Sequence, residues 1–231
     1  MKRVLSRILI AGGLMLGVSV ISPSFAAESA ASKPDAAKGS QLYSQGDASR
    51  GVTACLTCHG PNGNSSVPAN PNLAGLPHEY IYKQLVDFKV KQGAEQPVRR
   101  GPEGAPTAMT AIAGPLTEED MRNLAVYLAQ QPLTQRATAT RKDLVERGQQ
   151  IWRAGLPERG VPACAACHGA NAAGIPGQYP RLAGQFPSYI EEQLKLFRAG
   201  HRANSEVMRD IADRMSDADI QAVSDYAAGL R

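Results

Sequence analysis

Long apolar runs, strand-period alternation and net charge are all scarce in this 231-residue chain. A helix that crosses a bilayer needs roughly 20 apolar residues, and the longest run, Ile8 to Ile21, has about 14. Lys2, Arg3 and Arg7 precede that run, and Ser24-Phe25-Ala26 follows with small residues suited to cleavage. Residues 1–26 therefore read as a signal peptide that exports the chain and is removed, with a retained membrane anchor as the alternative. Without that segment the formal charge falls from +4 to +1, because it holds three basic residues and no acidic one. So nearly neutral a chain is no basic nucleic-acid binder. No strand pattern of useful length is present, and the expected fold is all-α.

Cysteine is also sparse. The four present, Cys55, Cys58, Cys164 and Cys167, would ordinarily pair as disulfides in an exported protein. They stand instead in two matching runs, CLTCHG at 55–60 and CAACHG at 164–169, 109 positions apart. A disulfide inside each CxxC, as in thiol oxidoreductases, leaves the histidine after each second cysteine without a role.

The match extends well beyond the motif. At the same offset Gly39 meets Gly148, Leu42 meets Ile151, Tyr43 meets Trp152, and Arg50-Gly51-Val52 meets Arg159-Gly160-Val161. Pro71-Asn72-Leu73-Ala74-Gly75 then meets Pro180-Arg181-Leu182-Ala183-Gly184, and Tyr80, Gln84 and Phe88 meet Tyr189, Gln193 and Phe197. After a break the match resumes at an offset of 99, pairing Met109 with Met208, Thr117 with Ser216, Asp120 with Asp219 and Tyr127 with Tyr226. The chain is an internal duplication whose first copy holds ten extra residues within Gly93 to Pro106. A surface loop absorbs such a difference cheaply, since doubling a loop costs only about 0.6 kcal/mol.

Each copy reads as helical. Ile81, Leu85 and Phe88, like Ile190, Leu194 and Phe197, lie on one helical stripe. Thr117 and Ser216 stand as N-caps three places before an acid, and a last helix follows each. Tyr127 and Tyr226 on those helices are expected to pack helix on helix. Gln131 to Thr140 carries a helix-ending proline and little periodicity. The expected boundaries are an N-terminal domain at 27–131, a linker at 132–140 and a C-terminal domain at 141–231. At about 100 residues and two or three convincing helices apiece, each domain needs something further to fill its core.

Cys-x-x-Cys-His is the attachment signature of c-type haem. Three residues apart on a helical turn, the two thiols face one way and can form thioethers with the vinyl groups of one porphyrin, with the adjacent imidazole set on the iron. Cys55, Cys58, Cys164 and Cys167 are thus the expected covalent anchors of two haem c groups, and His59 and His168 their proximal ligands. A buried macrocycle would also complete the core. Zinc is the rival, but a four-thiolate site needs both pairs to converge on one metal and leaves the histidines unexplained.

These features resemble class I cytochrome c domains: a glycine and an aromatic before the motif (Gly39 with Tyr43, Gly148 with Trp152) and a Pro-x-Leu after it (Pro71 with Leu73, Pro180 with Leu182). The tandem arrangement, with its PxLAG and YIxxQLxxF runs, resembles the dihaem cytochrome c4 family over residues 35–231. The resemblance implies two tandem class I cytochrome c domains in the periplasm, one covalent haem each. It also implies that the Pro71 and Pro180 carbonyls accept the proton of the proximal histidine Nδ1, a plain turn proline being the alternative.

The distal ligand can be argued from position. Of the methionines past residue 26, only Met109 and Met208 correspond between copies, while Met121 aligns with Ile220 and Met215 with Leu116. Met109 and Met208 are the expected axial ligands, and Met121 and Met215 the expected core residues. His78 and His201 have no counterparts and are expected at the surface. His/Met ligation favours ferrous iron and fills the position where oxygen or peroxide would bind.

The expected function is therefore a non-catalytic electron carrier, taking electrons from a quinol-oxidising complex or dehydrogenase and passing them to a terminal oxidase. A dihaem peroxidase is the competing reading, and it predicts loss of one distal ligand. A resident subunit of a larger redox complex is a third. Four propionates would take the formal charge to about −3 if all ionise, leaving docking to local patches. Arg99-Arg100, in the longer loop, has three readings from sequence: partner contact, solvated loop or propionate neighbour.

Overall fold

Asp35 opens the first helix by accepting hydrogen bonds from the amides of Ala37 and Lys38 at 2.8 and 3.2 Å, which satisfies donors that a helix start otherwise leaves free. In the computed structural model, which describes residues 33–231, ten α-helices follow in two matched sets of five. The export-signal reading of residues 1–26 lies outside the described residues. The first set is α1 (Ala36–Gln45), α2 (Leu56–His59), α3 (His78–Phe88), α4 (Ala108–Ala113) and α5 (Glu118–Ala129). The second is α6 (Val145–Ala154), α7 (Ala165–His168), α8 (Pro187–Arg198), α9 (Glu206–Asp213) and α10 (Asp217–Gly229). The remaining pairing is four isolated antiparallel bridges, so the all-α expectation holds. Among the described residues no helix is long and apolar enough to cross a membrane.

In each copy the first helix crosses the last at a glycine. A Cβ on Gly39 would stand 2.1 Å from the Asn123 carbonyl oxygen of α5, and one on Gly148 would stand 2.4 Å from that of Ala222 on α10. Only glycine permits this approach, because the opposing atoms are backbone and cannot rotate away. The crossing buries Leu42 and Tyr43 against Leu124 and Tyr127 in one copy, and Ile151 and Trp152 against Ile220 and Val223 in the other. Tyr127 packs on Tyr43 with ring centroids 5.5 Å apart, the helix-on-helix role its position suggests.

The capping expectation is met at both last helices. The Thr117 hydroxyl accepts from the Asp120 amide at 3.1 Å while the Asp120 carboxylate accepts from the Thr117 amide at 2.8 Å, and Ser216 and Asp219 make the same reciprocal pair. The repeated Arg-Gly-Val has a partner here too. Arg50 donates to Asp120 at 2.7 Å and Arg159 to Asp219 at 2.7 Å, with Arg147 adding a further bond to Asp219 at 2.6 Å.

The short helices α2, α4, α7 and α9 raise each copy from the two or three helices legible in sequence to five. Four to eight residues are too few for a 3.6-residue period to declare itself. Residues 131–141 carry no helix and are held at both ends. Asn64 accepts from the Thr134 amide at 2.7 Å and donates to the Pro132 carbonyl at 3.0 Å, and Asp225 accepts from the amides of Thr140 and Arg141. The two copies pack as one unit. Asn72 and Gln185 are both buried and exchange hydrogen bonds across the seam, backbone amide to Oε1 and Nε2 to backbone carbonyl, each at 3.0 Å.

Gly148→Ala drives a methyl into the α10 backbone, and overpacking of this kind costs about 1–3 kcal/mol. The expected fall in Tm is about 4–8 °C per kcal/mol for a domain of this size; calorimetry showing no fall would mean the crossing relaxes freely. A second expectation concerns pH. Burial opposes ionisation of Asp219, but bonds from Ser216, Arg159 and Arg147 outweigh it and hold the carboxyl below its ordinary range. A depressed carboxyl stabilises the fold above the unfolded pKa of about 3.9, and that contribution is lost as pH falls through the lower folded value. Asp219→Asn should cost about 1–3 kcal/mol at neutral pH, with the gap from the parent narrowing below about pH 4 in denaturant titrations.

Candidate haem site

The two CxxCH runs fold alike. The amides of Cys58 and His59 bond back to the Cys55 carbonyl at 3.2 and 2.9 Å, and those of Cys167 and His168 to the Cys164 carbonyl at 3.3 and 2.9 Å. That single turn brings each pair of thiols to the wall of one cavity of about 670 Å³, which runs through both domains. Each turn is pinned by the aromatic of the preceding helix. The Tyr43 hydroxyl donates to the Gly60 carbonyl at 2.6 Å and accepts from the Gly63 amide at 3.0 Å, while the Trp152 indole donates to the Ala170 carbonyl at 3.1 Å.

His59 and His168 are buried, 7% and 8% exposed, and their Nδ1 atoms lie 3.0 Å from the Pro71 and Pro180 carbonyl oxygens. A carbonyl oxygen can only accept, so Nδ1 carries the proton and Nε2 keeps a free lone pair. Burial holds both imidazoles below their ordinary pKa, the proline carbonyls opposing it only in part. Neutral, oriented imidazoles are what iron ligation needs.

The methionines divide as the repeat suggests. Met109 on α4 and Met208 on α9 line the cavity, whereas Met121 and Met215 are buried in the cores and do not. Ser205 caps α9 by accepting from the Met208 amide at 3.3 Å. Neither His78 nor His201 lines the cavity. His78 is exposed as expected; His201 is half-buried, with its Nδ1 enclosed beneath the Gly104 turn, which departs from the surface position expected of it.

No disulfide joins any of the four cysteines. Among the described residues no three His, Cys, Asp or Glu side chains gather at a metal-binding geometry, so the CxxC pairs do not converge as a four-thiolate zinc site requires. The residues do fit a haem in each domain. The wall is apolar, with Leu73, Ile81, Leu182 and Ile190 upon it, and each half offers two thiols, one imidazole and one thioether. Thr107 also stands on the wall with its buried hydroxyl lacking a hydrogen-bond partner, a polar group that a ligand's periphery can satisfy.

Sequence reading missed Arg202 and Tyr179, both on this wall, and left Arg99 with three roles. Arg99 is buried at the seam and donates to Gln84, Tyr189 and Gln193, while Tyr80 accepts from Arg202. Those four polar residues recur between the copies on otherwise apolar stripes, and that recurrence was the available signal. Tyr179 sits edge-on to His168 at 5.7 Å between centroids, where the first copy has Asn70.

The family model described as Cytochrome c matches twice, over residues 36–132 and 145–230. Cytochrome c4 of Thiocapsa roseopersicina is 45% identical over 180 residues, 76% of this chain and 86% of that protein. A thiosulfate dehydrogenase electron acceptor of Stutzerimonas stutzeri (strain A1501) is 37% identical over 199 residues, 84% of this chain and 87% of that one. Among solved structures, reduced recombinant cytochrome c4 from Pseudomonas stutzeri matches with a TM-score of 0.71 at 32% identity, covering 86% of this chain and all of that one. With both domains matched and the dihaem relatives aligned along most of its length, the chain belongs to the cytochrome c family, among the dihaem electron carriers of the cytochrome c4 group, and carries two covalently bound haem c groups.

Proposed function

We propose that the chain is a periplasmic carrier that receives electrons from a quinol-oxidising complex or a dehydrogenase and delivers them to a terminal oxidase. In this reading residues 1–26 are a cleaved signal peptide, and domains at 27–131 and 141–231 flank a linker at 132–140. Cys55 and Cys58 hold one haem by thioethers and Cys164 and Cys167 the other. His59 with Met109, and His168 with Met208, are the axial ligands. The observation that carries the reading is the matched pair on the cavity wall: in each domain one neutral imidazole and one thioether share an apolar enclosure, and the other methionine is spent in the core.

When bound, a haem supplies a one-electron couple at its iron. The chain's part is to hold that couple steady. The Pro71 and Pro180 carbonyls fix each imidazole as the Nδ1–H tautomer, so neither ring turns or changes protonation between redox states. The apolar wall excludes water, and a methionine on the distal side leaves no open position for oxygen or peroxide. A dehydrogenase as donor is supported by the similarity to a protein named as a thiosulfate dehydrogenase electron acceptor.

Replacing Cys164 and Cys167 with alanine should halve the covalently bound haem, read from the pyridine haemochrome of the purified protein; unchanged pigment would remove the second anchor. Met109→Leu should abolish the near-infrared methionine-to-iron band of one haem and lower that haem's potential. The expected change is at least tenfold in its ferric/ferrous equilibrium, about 59 mV for a one-electron couple. A parent protein with a high-spin haem and peroxide turnover would favour the peroxidase instead.

A further inference from the structure

Met109 sits on a short helix whose start is uncapped. α4 has six residues, and its N-cap Thr107 makes no side-chain bond to it. The counterpart α9 has eight, and Ser205 caps it by accepting from the Met208 amide at 3.3 Å. The chain enters α4 through residues 101–106, within the stretch that is longer in the first copy. That entry closes on itself as a turn: the Gly101 amide donates to the Ala105 carbonyl at 2.7 Å, and the Gly104 amide to that of Gly101 at 3.2 Å. Within it Glu103 holds a left-handed φ of 58°, a conformation that a side chain resists unless its surroundings impose it.

What lies beneath the turn belongs to the other domain. The Arg100 amide donates to the His201 carbonyl at 2.9 Å, and the Arg100 guanidinium to the Gly200 carbonyl at 3.3 Å. The His201 ring lies directly under Gly104: a Cβ there would stand 3.3 Å from both Cε1 and Nδ1. So close a contact and a φ of +75° both favour glycine at that position. The contact encloses the His201 Nδ1 with no hydrogen-bond partner. A buried polar atom left unpaired is costly, so the ring's contribution here is its shape and not its hydrogen bonding. The turn continues onto the cavity wall, where Pro102, Ala105, Pro106 and Thr107 lead to Met109.

We propose that His201, a residue of the C-terminal domain, is a positioning residue for Met109, the distal ligand of the N-terminal domain. The ring is a wedge beneath Gly104 that sets the height of the 101–105 turn, and the turn sets where α4 begins. The inference rests on the proposed His59/Met109 ligation. A ligand held in place loses little freedom on binding, so a loosened α4 lowers the effective concentration of the methionine and lets another ligand compete for the iron. Met208 does not share this dependence. α9 keeps its Ser205 cap, and the loop before it is held by main-chain bonds that a side-chain change leaves alone, the amides of His201 and Arg202 on the Leu196 carbonyl at 3.0 Å.

The test is titration of the ferric two-haem protein with imidazole, followed by loss of the near-infrared methionine band, each step assigned to its haem with Met109→Leu and Met208→Leu. His201→Ala should raise the imidazole affinity of the first haem at least tenfold and leave that of the second within threefold of the parent. His201→Phe, which keeps a ring and removes the nitrogen, should hold both within threefold. Equal shifts at the two haems, a larger shift at the second, or no shift at either would overturn the inference. So would a His201→Phe protein as displaced as His201→Ala, because the nitrogen and not the ring would then matter. If His201→Ala fails to accumulate with two haems, His201→Asn decides by the same tenfold and threefold limits. A protein whose methionine bands survive Met109→Leu overturns the ligation reading and the wedge with it; one with both bands assigned keeps the carrier reading whichever way His201 falls.

Discussion

The backbone contact at Gly39 and Gly148 is the constraint on which each domain depends. It sets how closely α1 lies on α5 and α6 on α10, and that distance fixes where Tyr43 and Trp152 enter the core. Those two rings then hold the CxxCH turns by hydrogen bonds to the carbonyls of Gly60 and Ala170. The histidines at the ends of the turns meet the Pro71 and Pro180 carbonyls as a result. A glycine far from the thiols thus governs where the imidazoles stand, and this explains why the glycine-aromatic pair recurs at the same spacing from both motifs.

The two copies share this frame and differ in what surrounds it. His168 has Tyr179 on its edge where His59 has Asn70 nearby in sequence register, and α9 is capped by Ser205 while Thr107 makes no cap bond to α4. The seam is asymmetric in the same way: Asp87 faces it from the first domain, and Leu196 replaces it in the second. Duplication supplied two equal sets of thiols, imidazole and thioether, and substitution around them made their surroundings unequal.

The duplication, the helical class, both capping boxes and which methionines line the cavity rather than the core were legible in sequence because each rests on short-range chemistry repeated at a fixed offset. Met109 and Met208 could be told from Met121 and Met215 without coordinates, since only the first pair keeps register. The seam was not legible. Arg99 and Arg202 are 103 residues apart, an offset that belongs to neither the 109 nor the 99 register, because the ten extra residues fall on both sides of Arg99. The roles of Arg50 and Arg159 were hidden for a different reason: their partners Asp120 and Asp219 lie 70 and 60 residues away. The short helices α4 and α9 escaped notice because six and eight residues show no period.

One cavity, rather than two, has a consequence for how the carrier works. Cys55 and Cys164 open onto a single apolar enclosure in which Leu73, Ile81, Leu182 and Ile190 form parts of the same wall. In such a medium a unit change of charge is screened far less than in water: at a fixed distance the Coulomb energy at an effective dielectric of about 20 is roughly four times its value in bulk solvent. A charge placed in one half of such an enclosure is therefore felt more strongly in the other half than it would be across solvent. Two separate monohaem domains joined by a flexible tether would lack that coupling. The bonds that fix residues 131–141 to Asn64 and Asp225, together with the Asn72–Gln185 exchange, hold the domains in the one arrangement that keeps it.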